Sequence, residues 1–489
     1  PGDSVTSSGG SPAQRTGSEG LPASRFLHDW VSEHVRRAPT APAVADHRVR
    51  LSYAELAEAV AQLAAGLSAG GVGPGTRVLV ALPNVPGTVV VGLALNRLGA
   101  LAMEVPRDWS AEVLGGVIDR AGVSHLVGFG RDVRKWQEVL SHRRPERVWL
   151  LHEGSVGPLQ ERLTALTVDR IGHDGALDAD APRARTLPAA PGDAGQPALV
   201  LYTSGSLGRP LGVVQTFANI DANSRAIAAY LRLARADRAM LTLPLYYCYG
   251  RSVLQTHLLT GASVYMDQRM SFPRSVLEAM AAEGCTGFAG VPLTYEVIRR
   301  QVDVSTLDFP RLRYLTQAGG RMDDELIAWA RDAFSPAQLF VMYGQTEATA
   351  RLSYLPPERA QEKVGSIGVA IPGVELRVVD DTGTEVPPGA VGEIVARGPN
   401  VTPGYLEEPE ATNAILRDGW LWTGDQALRD ADGFLFHKGR SREILKVGGQ
   451  RVSPADIEAV VSLLPAVSEV VVIGRPDDLL GEVPVAVIV

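Results

Sequence analysis

One segment constrains this chain more than any other: a short apolar strand enters a loop of glycines and hydroxyls and leaves as a second strand. It reads Leu201-Tyr-Thr-Ser-Gly-Ser-Leu-Gly-Arg-Pro-Leu-Gly-Val-Val214. Gly205, Gly208 and Gly212 free the backbone to turn back on itself with its amides pointing inward. Thr203, Ser204 and Ser206 add hydroxyl donors, so the segment suits phosphate oxygens. It lacks the Gly-Lys-[Ser/Thr] ending of a Walker loop, and it is not GxGxxG. Alone, such a loop is more often a plain turn. The segments downstream decide its meaning.

Three of them follow in order: Met342-Tyr-Gly-Gln-Thr-Glu347, Trp422-Thr-Gly-Asp425 and Gly439-Arg-Ser-Arg-Glu-Ile-Leu-Lys-Val-Gly-Gly449. With the loop they resemble the adenylate-forming superfamily of acyl-CoA synthetases, peptide-synthetase adenylation domains and luciferases, from about Phe26 to the last residue. The resemblance implies an α/β fold. A large N-terminal domain of layered α/β subdomains plus a small β-subdomain would be followed by a small, mobile α+β C-terminal domain, incomplete here. The expected boundaries are a flexible lead at 1–24, the adenylate-binding domain at 25–438 and the start of the C-terminal domain at 439–489.

Composition excludes other classes. With 45% hydrophobic and 21% charged residues among 489, the chain is globular and long enough for more than one core. A net charge of −8 gives no footprint for nucleic acid, and no apolar run is long enough to span a membrane. Cys248 and Cys285 make no disulfide framework and lack metal spacing, which suits a reducing cytoplasm.

Local patterns support the layering. Ser52-Tyr-Ala-Glu55 is a capping box that predicts a helix to about Leu67, and Arg77–Leu82 reads as a buried strand. From Glu375 to Arg397 the period becomes two, with Asp380-Asp-Thr-Gly383 as a hairpin turn. Lys438–Arg442 has the composition of a linker. Beyond it, Ser453-Pro-Ala-Asp456 opens a helix.

The resemblance also assigns roles. Tyr343 would stack on adenine, with Gly344 beside it. Thr346 would bond the α-phosphate, and Glu347 would hold the Mg²⁺ that accompanies ATP. Asp425 would take both ribose hydroxyls, and Arg440 would contact nucleotide at the domain junction. Ala318, Gly319 and Gly320 would let backbone approach adenine and the acyl group. Tyr246, Tyr247 and Gly290 would line an acyl pocket. No Asp stands near Tyr246 to pair an α-ammonium, so a carboxylic acid without an α-amine is favoured. Gly448 and Gly449 would form the pantetheine tunnel for coenzyme A, with Lys446 alongside.

One departure outweighs the matches. The family's loop usually reads TSGSTGxPKG, whereas Leu207 and Leu211 stand where the Thr and Lys would be. A cation facing phosphate contributes about 1.5–3 kcal/mol. The expectation is an enzyme that binds acyl-AMP and coenzyme A and performs the second half-reaction, acyl-AMP plus CoA to acyl-CoA plus AMP. Use of ATP and Mg²⁺ would be impaired, and a separate adenylating enzyme would supply the adenylate. A complete ATP-dependent ligase, an acyl-AMP ligase loading a carrier protein, and a non-catalytic AMP- or acyl-AMP-binding protein are the alternatives.

Overall fold

The computed structural model describes residues 21, 24–143, 145–152, 168–177, 184, 186–203, 209–440, 445–447, 450–452, 454–462, 464, 466–467, 469–477 and 481–489. Its frame is two large, mostly parallel sheets. The first has seven strands, in the order Val168–Ile171, Arg147–Leu151, His125–Phe129, Arg77–Ala81, Leu101–Glu104, Pro197–Thr203 and Leu211–Thr216. Only the last joins antiparallel, with Thr203 paired to Leu211 at its start. The second sheet has nine strands. Its parallel centre, Gln338–Tyr343, Tyr314–Gln317, Gly287–Gly290, Arg238–Leu241, Ser263–Met266 and Pro42–Ala45, carries antiparallel edges.

Burial explains this arrangement. Strands such as Arg77–Ala81 and Ser263–Met266 are apolar on both faces and need helices on each. The largest apolar cluster joins Trp30, Leu63, Leu95 and Leu254 from four helices to Val80, Leu199 and Val264 from both sheets. The helix Tyr53–Ala69 starts where the sequence places it: the Ser52 side chain accepts from the Glu55 amide and the Glu55 carboxylate accepts from the Ser52 amide. No described helix is long and apolar enough to cross a membrane.

A five-stranded antiparallel sheet follows, containing Glu375–Val379, Val391–Arg397, Leu416–Arg417, Trp420–Arg429 and Leu435–Arg440. It is the expected β-subdomain, with two differences. Asp380–Gly383 turns as expected, the Gly383 amide donating to the Asp380 carbonyl at 3.0 Å and Val379 pairing antiparallel with Glu385, but the returning arm is short. The next strand begins only at Val391, after Pro387 and Pro388, which have no N–H to donate to a ladder. Nor is the stretch from Lys438 a linker at its start: the strand runs through it to Arg440, which pairs with Asp425. The C-terminal part has a four-stranded antiparallel sheet, Gln450–Val452, Leu445–Val447, Gly481–Ile488 and Val470–Asp477, with the helix Pro454–Val461 on it.

Candidate functional site

A cavity of about 670 Å³ lies where the parallel strands of the nine-stranded sheet end and the β-subdomain begins. Strand exits build its wall, as expected for ligand sites of α/β sheets. The exit of Tyr314–Gln317 supplies Gly319 and Gly320, and that of Gln338–Tyr343 supplies Tyr343, Gly344, Thr346 and Glu347. Gly319 has φ +86°, and a Cβ there would meet the Tyr247 hydroxyl at 2.4 Å. Only glycine lets that tyrosine reach the wall.

Asp425 enters from the β-subdomain. It lies within the strand Trp420–Arg429, which continues through it. What re-aims it is a bulge: Thr423, Gly424 and Asp425 together face Ile394, between the pairs Val395–Trp422 and Glu393–Gln426. The Thr423 hydroxyl donates to the Ile394 carbonyl at 2.7 Å and the Gly424 amide to Glu393 at 2.9 Å. Buried Asp425 accepts from the Tyr343 hydroxyl at 2.7 Å. His437 Nε2 and Arg440 Nε lie 3.5 and 3.4 Å from its other oxygen.

Glu347 has a partner that the sequence did not announce. The Tyr405 hydroxyl donates to its Oε1 at 2.7 Å. Burial pushes the Glu347 carboxyl above the ordinary carboxylate range, and the Tyr405 bond pulls the other way. Tyr405 reaches it because residues 404–406 are stitched to the strand leaving the glycine loop. The Val214 amide donates to the Gly404 carbonyl at 3.0 Å and the Leu406 amide to the Gly212 carbonyl at 2.8 Å. A Gly-Tyr pair after a proline was the only sequence signal. His437 was likewise missed, since a lone strand histidine has no local signature.

Thr203 and Leu211 face each other in the ladder that brackets the glycine loop, and both line the cavity. Leu211 is buried there, an apolar side chain at the mouth of a polar loop. Ser204, Gly205, Ser206 and Leu207 lie outside the described residues, as do Gly448, Gly449 and the Lys446 side chain. The Lys446 backbone pairs with Arg451 in the small sheet.

Three expected pocket residues sit elsewhere. Tyr247 lines the cavity but Tyr246 does not; it feels Asp108 and Arg107 instead. Both lie in the turn before the helix Cys248–Thr260, where the Tyr247 amide donates to the Pro244 carbonyl at 3.2 Å, and the turn aims only Tyr247 at the cavity. Gly290 and Ala318 are packing residues. A Cβ on Gly290 would meet Tyr295 at 2.9 Å, and Ala318 is buried in the main core.

The model of the AMP-binding enzyme family matches residues 31–406, and that of the AMP-binding enzyme C-terminal domain matches 456–489. The chain belongs to the AMP-binding enzyme family. A feruloyl-CoA synthase of Amycolatopsis is 33% identical over 468 residues, covering 95% of this chain and 88% of its own. The indoleacetate–CoA ligase of Aromatoleum aromaticum is 31% identical, with 95% and 88% covered. Among solved structures, the o-succinylbenzoate coenzyme A synthetase of Bacillus subtilis in complex with ATP and magnesium ion superposes with a TM-score of 0.79 at 26% identity, covering 94% of this chain and 89% of that one. The same synthetase with its acyl-adenylate intermediate gives 0.77 at 26% identity, with 94% and 87% covered. This AMP-binding enzyme is thus an acid–thiol ligase of the acyl-CoA synthetase branch, with the large N-terminal and small C-terminal domains of that fold.

Proposed function

We propose that this AMP-binding enzyme makes an acyl-CoA thioester from a carboxylic acid without an α-amine, and that it is specialised in the second half-reaction. The acyl carbon of acyl-AMP is attacked by the coenzyme A thiolate. A C–S bond forms, the C–O bond to phosphate breaks, AMP leaves with the electron pair, and the thiol proton goes to solvent. No nucleophilic side chain is needed. The protein contributes positioning, which is worth up to about 7–11 kcal/mol when geometry is right.

Leu211 carries this reading. It is buried, it lines the cavity opposite Thr203, and it brings no charge to the end of the loop where the family's lysine would meet pyrophosphate. The groups needed for an adenylate stand in the same cavity: Tyr343 for adenine, Asp425 and Arg440 for ribose and phosphate, Thr346 for the α-phosphate. Tyr247 and Gly319 form the wall nearest the acyl group. Glu347 is a hard, buried carboxylate of the kind that holds Mg²⁺ together with phosphate oxygens and waters. Gly448 and Gly449 are assigned to the pantetheine path, reached when the C-terminal domain, beyond Arg440, swings in. Relatives named for feruloyl and indoleacetyl acids support an aryl acid. A separate adenylating enzyme is the partner that this specialisation requires.

A complete two-step ligase is the second reading. It is favoured by Arg321 and Arg440, two cations lining the same cavity, and by the ATP- and magnesium-bound structure of the Bacillus relative. One comparison separates them: synthetic aryl-acyl-AMP plus CoA, against ATP, Mg²⁺, the same acid and CoA. The expected result is ready thioester formation from acyl-AMP and little from ATP, with Leu211→Lys raising the ATP-dependent rate. Acid-dependent pyrophosphate exchange as fast as thioester formation would establish the two-step ligase instead.

A further inference from the structure

Behind the cavity wall lies a buried cation with no counter-ion. Arg351 is 2% exposed, none of the described carboxylates forms an ion pair with it, and its Nε has no hydrogen-bond partner. Its guanidinium lies over the Tyr249 ring, 4.9 Å from the centroid, while the nearby Tyr230 hydroxyl donates to Met342 Sδ at 3.0 Å. Its backbone is fixed, because its carbonyl accepts from Asn223 Nδ2 at 3.0 Å and from Asn400 Nδ2 at 2.9 Å. Removing a guanidinium from water without an anionic partner costs several kcal/mol. One cation–π contact does not offset that.

Arg351 faces a second, smaller cavity of about 20 Å³. That is room for one water or one oxygen substituent. Its other polar lining is already occupied. The Tyr249 hydroxyl donates to Thr316 at 2.7 Å, the Ser252 hydroxyl to the Tyr249 carbonyl at 2.7 Å, and His257 bonds the Val253 carbonyl and the Tyr314 hydroxyl. Arg351 is the group left with a free donor. The partition from the adenylate cavity is thin: Met342 lines both, and Tyr247, on the far side, packs edge-on against Tyr249 at 6.4 Å. A methionine is the side chain that yields most easily to an incoming group.

We propose that Arg351 is the specificity-determining residue of the acyl site, and that it selects acids with a hydrogen-bond-accepting oxygen at the end remote from the reacting carboxyl. A hydroxyl, carbonyl or second carboxylate shares this chemistry. Entering past Met342, its oxygen takes the place of a water and accepts from the Arg351 guanidinium. The inference rests on the acyl-adenylate reading above and extends it to the substrate.

Binding tests both separately. Acyl-sulfamoyl adenosines, which mimic the mixed anhydride but do not react, are titrated calorimetrically into the full chain in matched pairs. The pairs are 4-hydroxybenzoyl with benzoyl, 4-hydroxyphenylpropenoyl with phenylpropenoyl, and 5-carboxypentanoyl with hexanoyl. In at least one pair the oxygenated member is expected to bind at least about tenfold tighter, since a site with a buried donor rejects the analogue that leaves it unpaired. Arg351→Met should bring that ratio below about threefold while the apolar member keeps its affinity. Equal binding of both members in every pair, or a ratio that survives in Arg351→Met, overturns the proposal and leaves the adenylate reading intact. Absence of binding by all six compounds overturns both. If circular dichroism shows that Arg351→Met does not fold, Arg351→Lys carries the test. It keeps the charge but loses the planar fork, so an unchanged ratio there also overturns the assignment.

Discussion

At the scale of single residues, the site keeps charge where water is scarce, and this sets up a conflict between stability and function. Burial raises the pKa of Glu347, so the native state holds its proton more tightly than the unfolded chain does. The sign follows from that order. Any stability that the raised pKa confers is complete below the ordinary carboxylate range and is lost as pH rises through the native value. Glu347→Gln does not titrate, and its amide oxygen still accepts from Tyr405. The variant is expected to melt above the wild type at neutral pH, with the gap closing in acid, and to lose any Mg²⁺-dependent ATP use. Thermal denaturation across that pH range measures it, and a gap that widens in acid refutes the assignment. Tyr405→Phe acts in the opposite sense. It deletes a bond to a charged acceptor worth about 1.5–3 kcal/mol, so the variant should melt below the wild type at neutral pH.

At the scale of elements, the bulge in Trp420–Arg429 shows what was legible in the sequence and what was not. Thr-Gly-Asp at 423–425 stood out by resemblance, and Asp425 is in the cavity wall. The bulge itself was invisible, because it depends on Ile394 and Glu393 in another strand. Ser52 announced its helix because a capping box is complete within four residues. Tyr246 misled because local sequence does not say which way a side chain points, and Gly290 because its space is filled by Tyr295 rather than left for a ligand. Arg351 and Tyr405 stayed hidden since their partners lie far away in sequence. The bulge yields two predictions. Gly424 has φ +73° with open space around its missing Cβ, so Gly424→Ala should cost about 1–2 kcal/mol through backbone strain alone. Denaturant titration reads that cost. Asp425→Ala should leave the bulge in place and weaken acyl-AMP binding by about 1.5–3 kcal/mol. An unchanged dissociation constant would make Asp425 a purely structural residue.

At the scale of the whole molecule, the two large sheets must hold a fixed relation, because Thr203 and Leu211 belong to one and Thr346 and Glu347 follow strands of the other. Apolar packing does most of this, and among the described residues a buried ion pair between an arginine and a glutamate crosses the junction. Glu104 ends a strand of the seven-stranded sheet. Arg251 lies in the helix Cys248–Thr260, packed on the nine-stranded sheet, and their side chains meet almost without solvent. Burial raises the Glu104 pKa and Arg251 opposes the rise. Such a pair adds little net stability but is costly to break, since one charge is then left alone. Arg251→Met is therefore expected to lose about 3–5 kcal/mol at neutral pH, and the double variant Glu104→Met with Arg251→Met should recover most of it. The pH dependence separates this from a simple packing loss. Without Arg251, the Glu104 pKa climbs further, so protonation relieves the lone charge and the penalty of Arg251→Met should shrink as pH falls. A penalty independent of pH, or a double variant whose loss is the sum of the two single losses, would mean that packing alone holds the sheets in register.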